Sequence, residues 1–133
     1  MSATDARHLQ ELFLKHFSSG DLDALIELYE PDAVFVGPDG SEAAGKDAVR
    51  EALQSLLSLP ELSFTYKPYF AAQSGELVLM HATWSITGLD PEGGPVALSG
   101  VTVEVARHSE DSGWRYVVDC PFGTAAVPAQ VAA

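Results

Sequence analysis

Cys120 is the sole cysteine of the chain, which excludes an internal disulfide and any zinc site built from several cysteines, and a reducing cytoplasm suits such a sequence. Positive charge is also scarce: seven Lys and Arg stand against nineteen Asp and Glu, for a formal net charge of -12. A phosphate backbone would be repelled, so nucleic acid is not an expected partner, and any long-range steering favours neutral or cationic ligands. No segment approaches the ~20 apolar residues that a bilayer span needs. The opening MSATDARHLQELFLKHF has acids and polar residues where a secretion signal begins basic and turns apolar. The expectation is a soluble cytoplasmic protein without a membrane partner.

Motifs that would announce a particular chemistry are missing as well. His8, His16, His81 and His108 follow no HExxH or other ligand spacing, so no metal site is expected. There is no G-x-S-x-G elbow for a serine nucleophile. GSEAAGK has the spacing of a phosphate-binding loop, but Asp47 stands where Ser or Thr should hold magnesium, and Asp39 and Glu42 add negative charge beside it. Gly45 reads instead as a turn residue before a helix. Cys120, at the end of an apolar strand, reads as a buried and inert thiol.

What the chain does have is apolar residues, 47% of the total, spread along its whole length. At 133 residues one core is expected, with 1–123 as one domain and 124–133 as a loosely held tail. Leu9, Leu12, Phe13, His16 and Phe17 recur at helical spacing, Ser2 to Asp5 resembles a capping box, and Gly20 supplies a left-handed stop, which predicts a helix over about 4–18. Asp21 caps a second helix with Leu22, Leu25, Ile26 and Tyr29 on its face, ended by Pro31. A short strand over 33–36, a turn at Gly37 to Gly40 and a third helix over about 46–58 follow.

From Leu62 the apolar period falls to two. SFTYKPYFAAQ, ELVLMHATWSITG, PVALSGVTVEVARH and WRYVVDCPF are separated by turn-forming segments and read as antiparallel, hairpin-linked strands. Pro68 and Gly100 inside strands predict bulges or bends, hence a curved sheet. Helices first and strands afterwards make an α+β domain, and a bent sheet covered by helices leaves a hollow for a small ligand.

Strict alternation in these strands places His81, Glu104 and Asp119 on one mixed row, opposite the apolar rows. Two assignments of that row remain open. If the apolar rows meet the helices, the mixed row faces water or a second subunit, and Glu104 with Arg115 is a surface pair. If the mixed row lines the hollow, Glu104 and Asp119 are buried acids with raised pKa, and the valine rows form a dimer interface. Among the aromatics, Phe13, Phe17, Phe35, Tyr66, Trp84, Tyr116 and Phe122 are candidate ligand contacts, and collectively they favour an apolar or aromatic ligand over a sugar phosphate.

FSSGDLDALIELYEPDAVFVGPDG, the AGKDAVREALQSLL helix and the closing GWRYVVDCPFG resemble the SnoaL-like and ketosteroid-isomerase-like branch of the nuclear-transport-factor-2-like superfamily, over about residues 5–123. The resemblance implies a cone-shaped, strongly curved mixed sheet with three helices, order ααβαββββ, commonly a homodimer through the outer sheet face and needing no cofactor. Two isomerase residues have no counterpart. The oxyanion-donating tyrosine falls near Phe13, and the proton-shuttling aspartate falls at Gly37, before Pro38. Glu104 matches the second acid. Polyketide-cyclase-like members point instead to Asp119 with His81 as partner.

The expectation is thus a protein that binds a neutral, largely apolar or aromatic metabolite. If it is an enzyme, it runs cofactor-free proton transfer, such as isomerisation or cyclisation, with Asp119 or Glu104 as base and His81 or Tyr116 as polariser. Ketosteroid isomerisation itself is disfavoured. The alternative is a non-catalytic ligand-binding or dimerisation module of the same fold.

Overall fold

Asp5 starts the first helix: its carboxylate accepts the His8 amide at 2.7 Å, and α1 runs Ala6–Ser19. Gly20, at φ 72°, ends it in the left-handed conformation that glycine adopts without a Cβ penalty. The structure, a computed structural model, describes residues 5–125, so Ser2 of the expected capping box and most of the expected tail lie outside the described residues.

Asp21 caps α2 (Leu22–Ile26) through the Ala24 amide at 3.1 Å. This helix is shorter than expected. Tyr29 and Pro31 belong to β1 (Tyr29–Val36), not to the helix and its stop. Proline is tolerated there because pairing between β1 and its neighbour β7 (Gly113–Cys120) is irregular between Tyr29 and Val34. The segment read as a glycine-rich loop contains a three-residue strand, β2 (Glu42–Ala44), that folds back on β1. Then α3 (Lys46–Leu57) buries Val49 and Leu53.

The expected long strands follow as β3 (Ser63–Ser74), β4 (Leu77–Leu89), β5 (Pro95–Val101), β6 (Val103–Ser109) and β7. Among the described residues the strands form one mixed sheet in the order β2-β1-β7-β6-β4-β3, with β5 beside β4. β1 and β7 are parallel and the other pairs are antiparallel.

PVALSGVTVEVARH, expected as one strand, breaks at Thr102. The first half of β4 pairs with β6 and the second half with β5. At the break the Thr102 hydroxyl accepts the Ala82 amide at 2.9 Å while the Thr102 amide donates to the Ala82 carbonyl at 2.8 Å. No buried backbone group of that step is left unpaired, so the bend carries no desolvation penalty. A second bend falls at the expected place, a bulge between Pro68 and Phe70. Gly100 serves close approach: a Cβ there would lie 2.9 Å from the Pro121 carbonyl oxygen, to which Trp84 Nε1 donates at 2.6 Å.

These bends curl the sheet around α1, which lies across β3 and β7, while α3 covers β1 and β2. The core between them centres on Leu9, Phe17, Leu25, Val49, Met80 and Ile86, each nearly free of solvent. No helix among the described residues is long and apolar enough to cross a membrane.

Candidate functional site

On its concave side the sheet encloses a cavity of about 380 Å³, within the size range of small-molecule sites. Phe13 and Phe17 of α1, Phe35 of β1, Tyr66 of β3, Trp84 of β4 and Phe122 after β7 line it. The β1–β2 turn, with Gly37 and Ser41, and Leu56 of α3 contribute as well. Three carboxyls belong to this wall: Glu42, which is exposed, and the buried Glu104 and Asp119, 3% and 4% exposed.

Neither assignment of the sheet faces holds for every strand. In β4 the apolar row points inward, as the first assignment required. In β6 the inward row is that of Glu104, because Glu104 pairs with Met80 across the strands, and Val101, Val103 and Val105 turn outward, as the second required. In β7 Trp114 and Tyr116 point inward, and strict alternation would then send Asp119 outward. A bulge prevents this: Val105 pairs with Val118 and Ala106 with Tyr116, so Val117 is an extra residue that shifts the phase and brings Asp119 back to the inner face. Glu104 and Asp119 are direct cross-strand partners.

His81 is not brought to this pair. It follows the inward Met80 and so points to the outer face, where its ring stacks on Tyr69 and lies tilted against Phe70, with centroids at 6.0 and 5.1 Å. Its Nδ1 donates to the Thr102 carbonyl at 2.8 Å. The shared row of His81, Glu104 and Asp119 is therefore corrected: a strand break at Thr102 and a bulge at Val117 put the two acids on one face and the histidine on the other. Tyr116 stands behind the cavity wall, edge-on to Phe13 at 6.0 Å, with its hydroxyl near that of Tyr66 but outside hydrogen-bond geometry.

Three donors hold these acids; Tyr66 was expected only as a ligand contact, and Tyr29 and Gln10 were not singled out for the site. Tyr29 Oη donates to Asp119 Oδ2 at 2.6 Å. Tyr66 Oη lies 3.0 and 2.8 Å from the two oxygens of Glu104, and Gln10 Nε2 donates to Glu104 Oε1 at 3.1 Å. Gln10 had a legible signal, since it shares an i, i+3, i+7 stripe with Phe13 and Phe17, where a polar residue is out of place. Tyr29 was hidden by its assignment to the helix before it.

The electrostatics follow from this wall. Burial, and next the neighbouring Asp119 charge, push the Glu104 carboxyl up to about 8, although Tyr66, Gln10 and Thr102 pull it back. Burial alone pushes Asp119 up to about 6, opposed by the Tyr29 hydroxyl. Ionising the first acid disfavours ionising the second, so the pair loses its protons in two steps. Both carboxyls are therefore held above their ordinary values, and one proton stays on the pair to higher pH than a free carboxyl would keep it. Asp119 lines the cavity, and among the described residues no protein donor reaches its Oδ1. Burial also raises the Cys120 thiol, whose Sγ donates to the Gly123 carbonyl at 3.6 Å. No three of His, Cys, Asp and Glu cluster as metal ligands among the described residues.

A bent mixed sheet of this order, with helices over a hollow whose floor holds two acids, defines an α+β protein of the nuclear-transport-factor-2-like, cystatin-like architecture. The SnoaL-like domain pattern matches residues 10–111, and the chain belongs to that family. Solved structures agree on the fold. A ketosteroid isomerase-like protein from Erwinia carotovora atroseptica superposes with a TM-score of 0.70 at 23% identity, covering 86% of this chain and 89% of its own. A nuclear transport factor 2-like superfamily protein from Salmonella enterica serovar Typhimurium gives 0.73 at 17%, covering 86% and 87%. A protein with a cystatin-like fold from Novosphingobium aromaticivorans gives 0.70 at 18%, covering 87% and 79%. A search of curated proteins finds no match to the chain.

Proposed function

We propose that the protein takes an apolar or aromatic small molecule into the cone and moves a proton within it, without a cofactor, as an isomerase or cyclase does. The observation that carries this reading is the buried pair at the cavity floor: two adjacent carboxyls whose surroundings push their pKa values apart, leaving one as base and the other as acid. Asp119 Oδ1 removes a proton from a carbon of the ligand. Tyr29 holds the other oxygen of that carboxylate, fixing its direction. Glu104, protonated and held by Gln10 and Tyr66, donates a hydrogen bond to a ligand oxygen on which negative charge develops. Asp119 then returns the proton at another atom, so the ligand rearranges with no change in composition.

Deuterium exchange tests this without knowledge of the product. With β-tetralone as a carbon acid of suitable size in heavy water, the protein should speed exchange beside the carbonyl, and Asp119→Asn should lose about a hundredfold or more of that rate. Equal rates for the two proteins would remove Asp119 as base. The competing reading is a binding module without turnover, supported by Phe13 in place of a hydroxyl donor and Gly37 in place of an acid. Binding of the ketone with no exchange would select it.

A homodimer through the outer sheet face belongs to the same proposal. Support comes from Tyr69, Phe70, Leu77, Leu79 and Val101, large apolar residues exposed together on β3 to β5. Sedimentation at equilibrium should give twice the chain mass, reduced to the chain mass by Leu79→Glu. A cytoplasmic location completes the reading, supported by the sole, unpaired cysteine.

A further inference from the structure

The cavity wall of charged residues is one-sided. Glu42 at the mouth and Glu104 and Asp119 on the floor are all acids, and no Lys, Arg or His lines the hollow among the described residues. Asp119 is 4% exposed and lines the void, and its Oδ1 has no protein donor among the described residues. The groups packed around it are Tyr29 on β1, Glu104 on β6, and Tyr66 and Tyr116 on β3 and β7, none of them a cation. A carboxylate buried in this way needs a counter-charge or further donors to offset its lost hydration, and here the fold supplies one hydroxyl. The rest of the enclosure is aromatic, with Phe13, Phe35, Trp84 and Phe122 presenting π-systems to the same space. Ring faces attract a cation most strongly where water is excluded. A neutral ligand of equal shape would gain from the rings but leave Oδ1 unbalanced, and an anion would meet repulsion from Asp119 and Glu42.

We infer that the ligand of this cone carries a basic nitrogen, whose ammonium or iminium charge rests against Asp119 inside the aromatic enclosure. The inference rests on the cavity reading above and narrows its ligand class from a neutral molecule to a lipophilic cation. It also suits proton transfer, because a carbon next to a cationic nitrogen gives up its proton more readily than one in a neutral molecule.

Calorimetric titration of the full chain at neutral pH with three probes of similar bulk tests the charge alone: dibenzylamine, its neutral isostere dibenzyl ether, and the anion diphenylacetate. The amine should bind about tenfold more tightly than the ether, and diphenylacetate more weakly than either. The preference should survive high salt, since a buried pair is poorly screened. In Asp119→Asn the amine should fall to the affinity of the ether, with the ether unchanged. Equal binding of amine and ether by the unaltered protein overturns the inference while the cavity reading stands, and failure of all three probes to bind overturns both. A preference that vanishes in high salt, or that persists in Asp119→Asn, also overturns it, because the attraction would then come from elsewhere in a chain of net charge -12. If Asp119→Asn does not fold, the salt series on the unaltered protein decides.

Discussion

His81 directly follows Met80, the cross-strand partner of Glu104, yet the two polar side chains meet opposite surroundings. Glu104 points into the cone, 3% exposed, with Gln10 and Tyr66 on its oxygens. His81 points outward, half-buried between the rings of Tyr69 and Phe70. On the inner face the two carboxyls are buried and tied to donors from other elements, Glu104 to Gln10 and Tyr66 and Asp119 to Tyr29. On the outer face polar groups are partly wet and mixed with exposed apolar side chains. The difference teaches that a titratable residue on a strand acquires its chemistry from the face it is given, and that here the face is decided by a break and a bulge.

The sharpest way to break the comparison is to remove charge from the inner face. Both acids have pKa values raised above their ordinary 4.5 and 3.8, so between about pH 4 and 8 the folded chain holds protons that the unfolded chain has released. Their contribution to stability is therefore fully present in acid and falls as pH rises through that window. Glu104→Gln and Asp119→Asn should each raise the melting temperature at pH 8 relative to the unaltered protein and change it little at pH 4. Melting curves across this range check the sign, which is opposite to that expected for a salt-bridged surface acid.

Tyr29→Phe strikes the same face from the other side. It strips Asp119 Oδ2 of its 2.6 Å donor, and the loss should cost about 2 kcal/mol where Asp119 is ionised and less in acid. Denaturant unfolding at the two pH extremes reads the difference. Gly100→Ala tests the rim. The added methyl group would press on the Pro121 carbonyl and Trp84 Nε1, and should cost about 1–3 kcal/mol, with a shift in tryptophan fluorescence as the Trp84 bond is displaced. The smallest effect is expected on the outer face: His81→Ala should leave ligand affinity unchanged and alter stability by about 0.5–1 kcal/mol or less. A marked loss of affinity on that change would dissolve the contrast between the faces.

The helices and strands were legible because their signals are local. Asp5, Gly20 and Asp21 act as caps and stops within a few residues, and the period-two segments after Leu62 are bounded by clear turns. Curvature was legible from Pro68. The short β2 was not, since three residues carry no periodicity, and β1 began earlier than expected because Tyr29 and Pro31 fit the preceding helix just as well. The two acids could be singled out as unusual residues among valines, but not grouped correctly with or without His81. That grouping depends on Thr102 replacing a ladder partner and on Val117 adding one residue to β7, and neither leaves a mark in the alternation of polar and apolar residues. Gln10 illustrates the converse, a visible irregularity in a helical stripe whose meaning came from a strand 94 positions away.

The joint at Thr102 has a practical corollary. Since its hydroxyl closes the ladder locally, β5 with its preceding hairpin at Asp90 to Gly94 is a module hinged to β6, separate in pairing from the stretch that bears Glu104. Leu98 on that module reaches the wall of the hollow. Changing Leu98 would therefore alter the wall of the hollow from an arm whose pairing is separate from that of Glu104 and Asp119, which makes it the natural place to reshape that space.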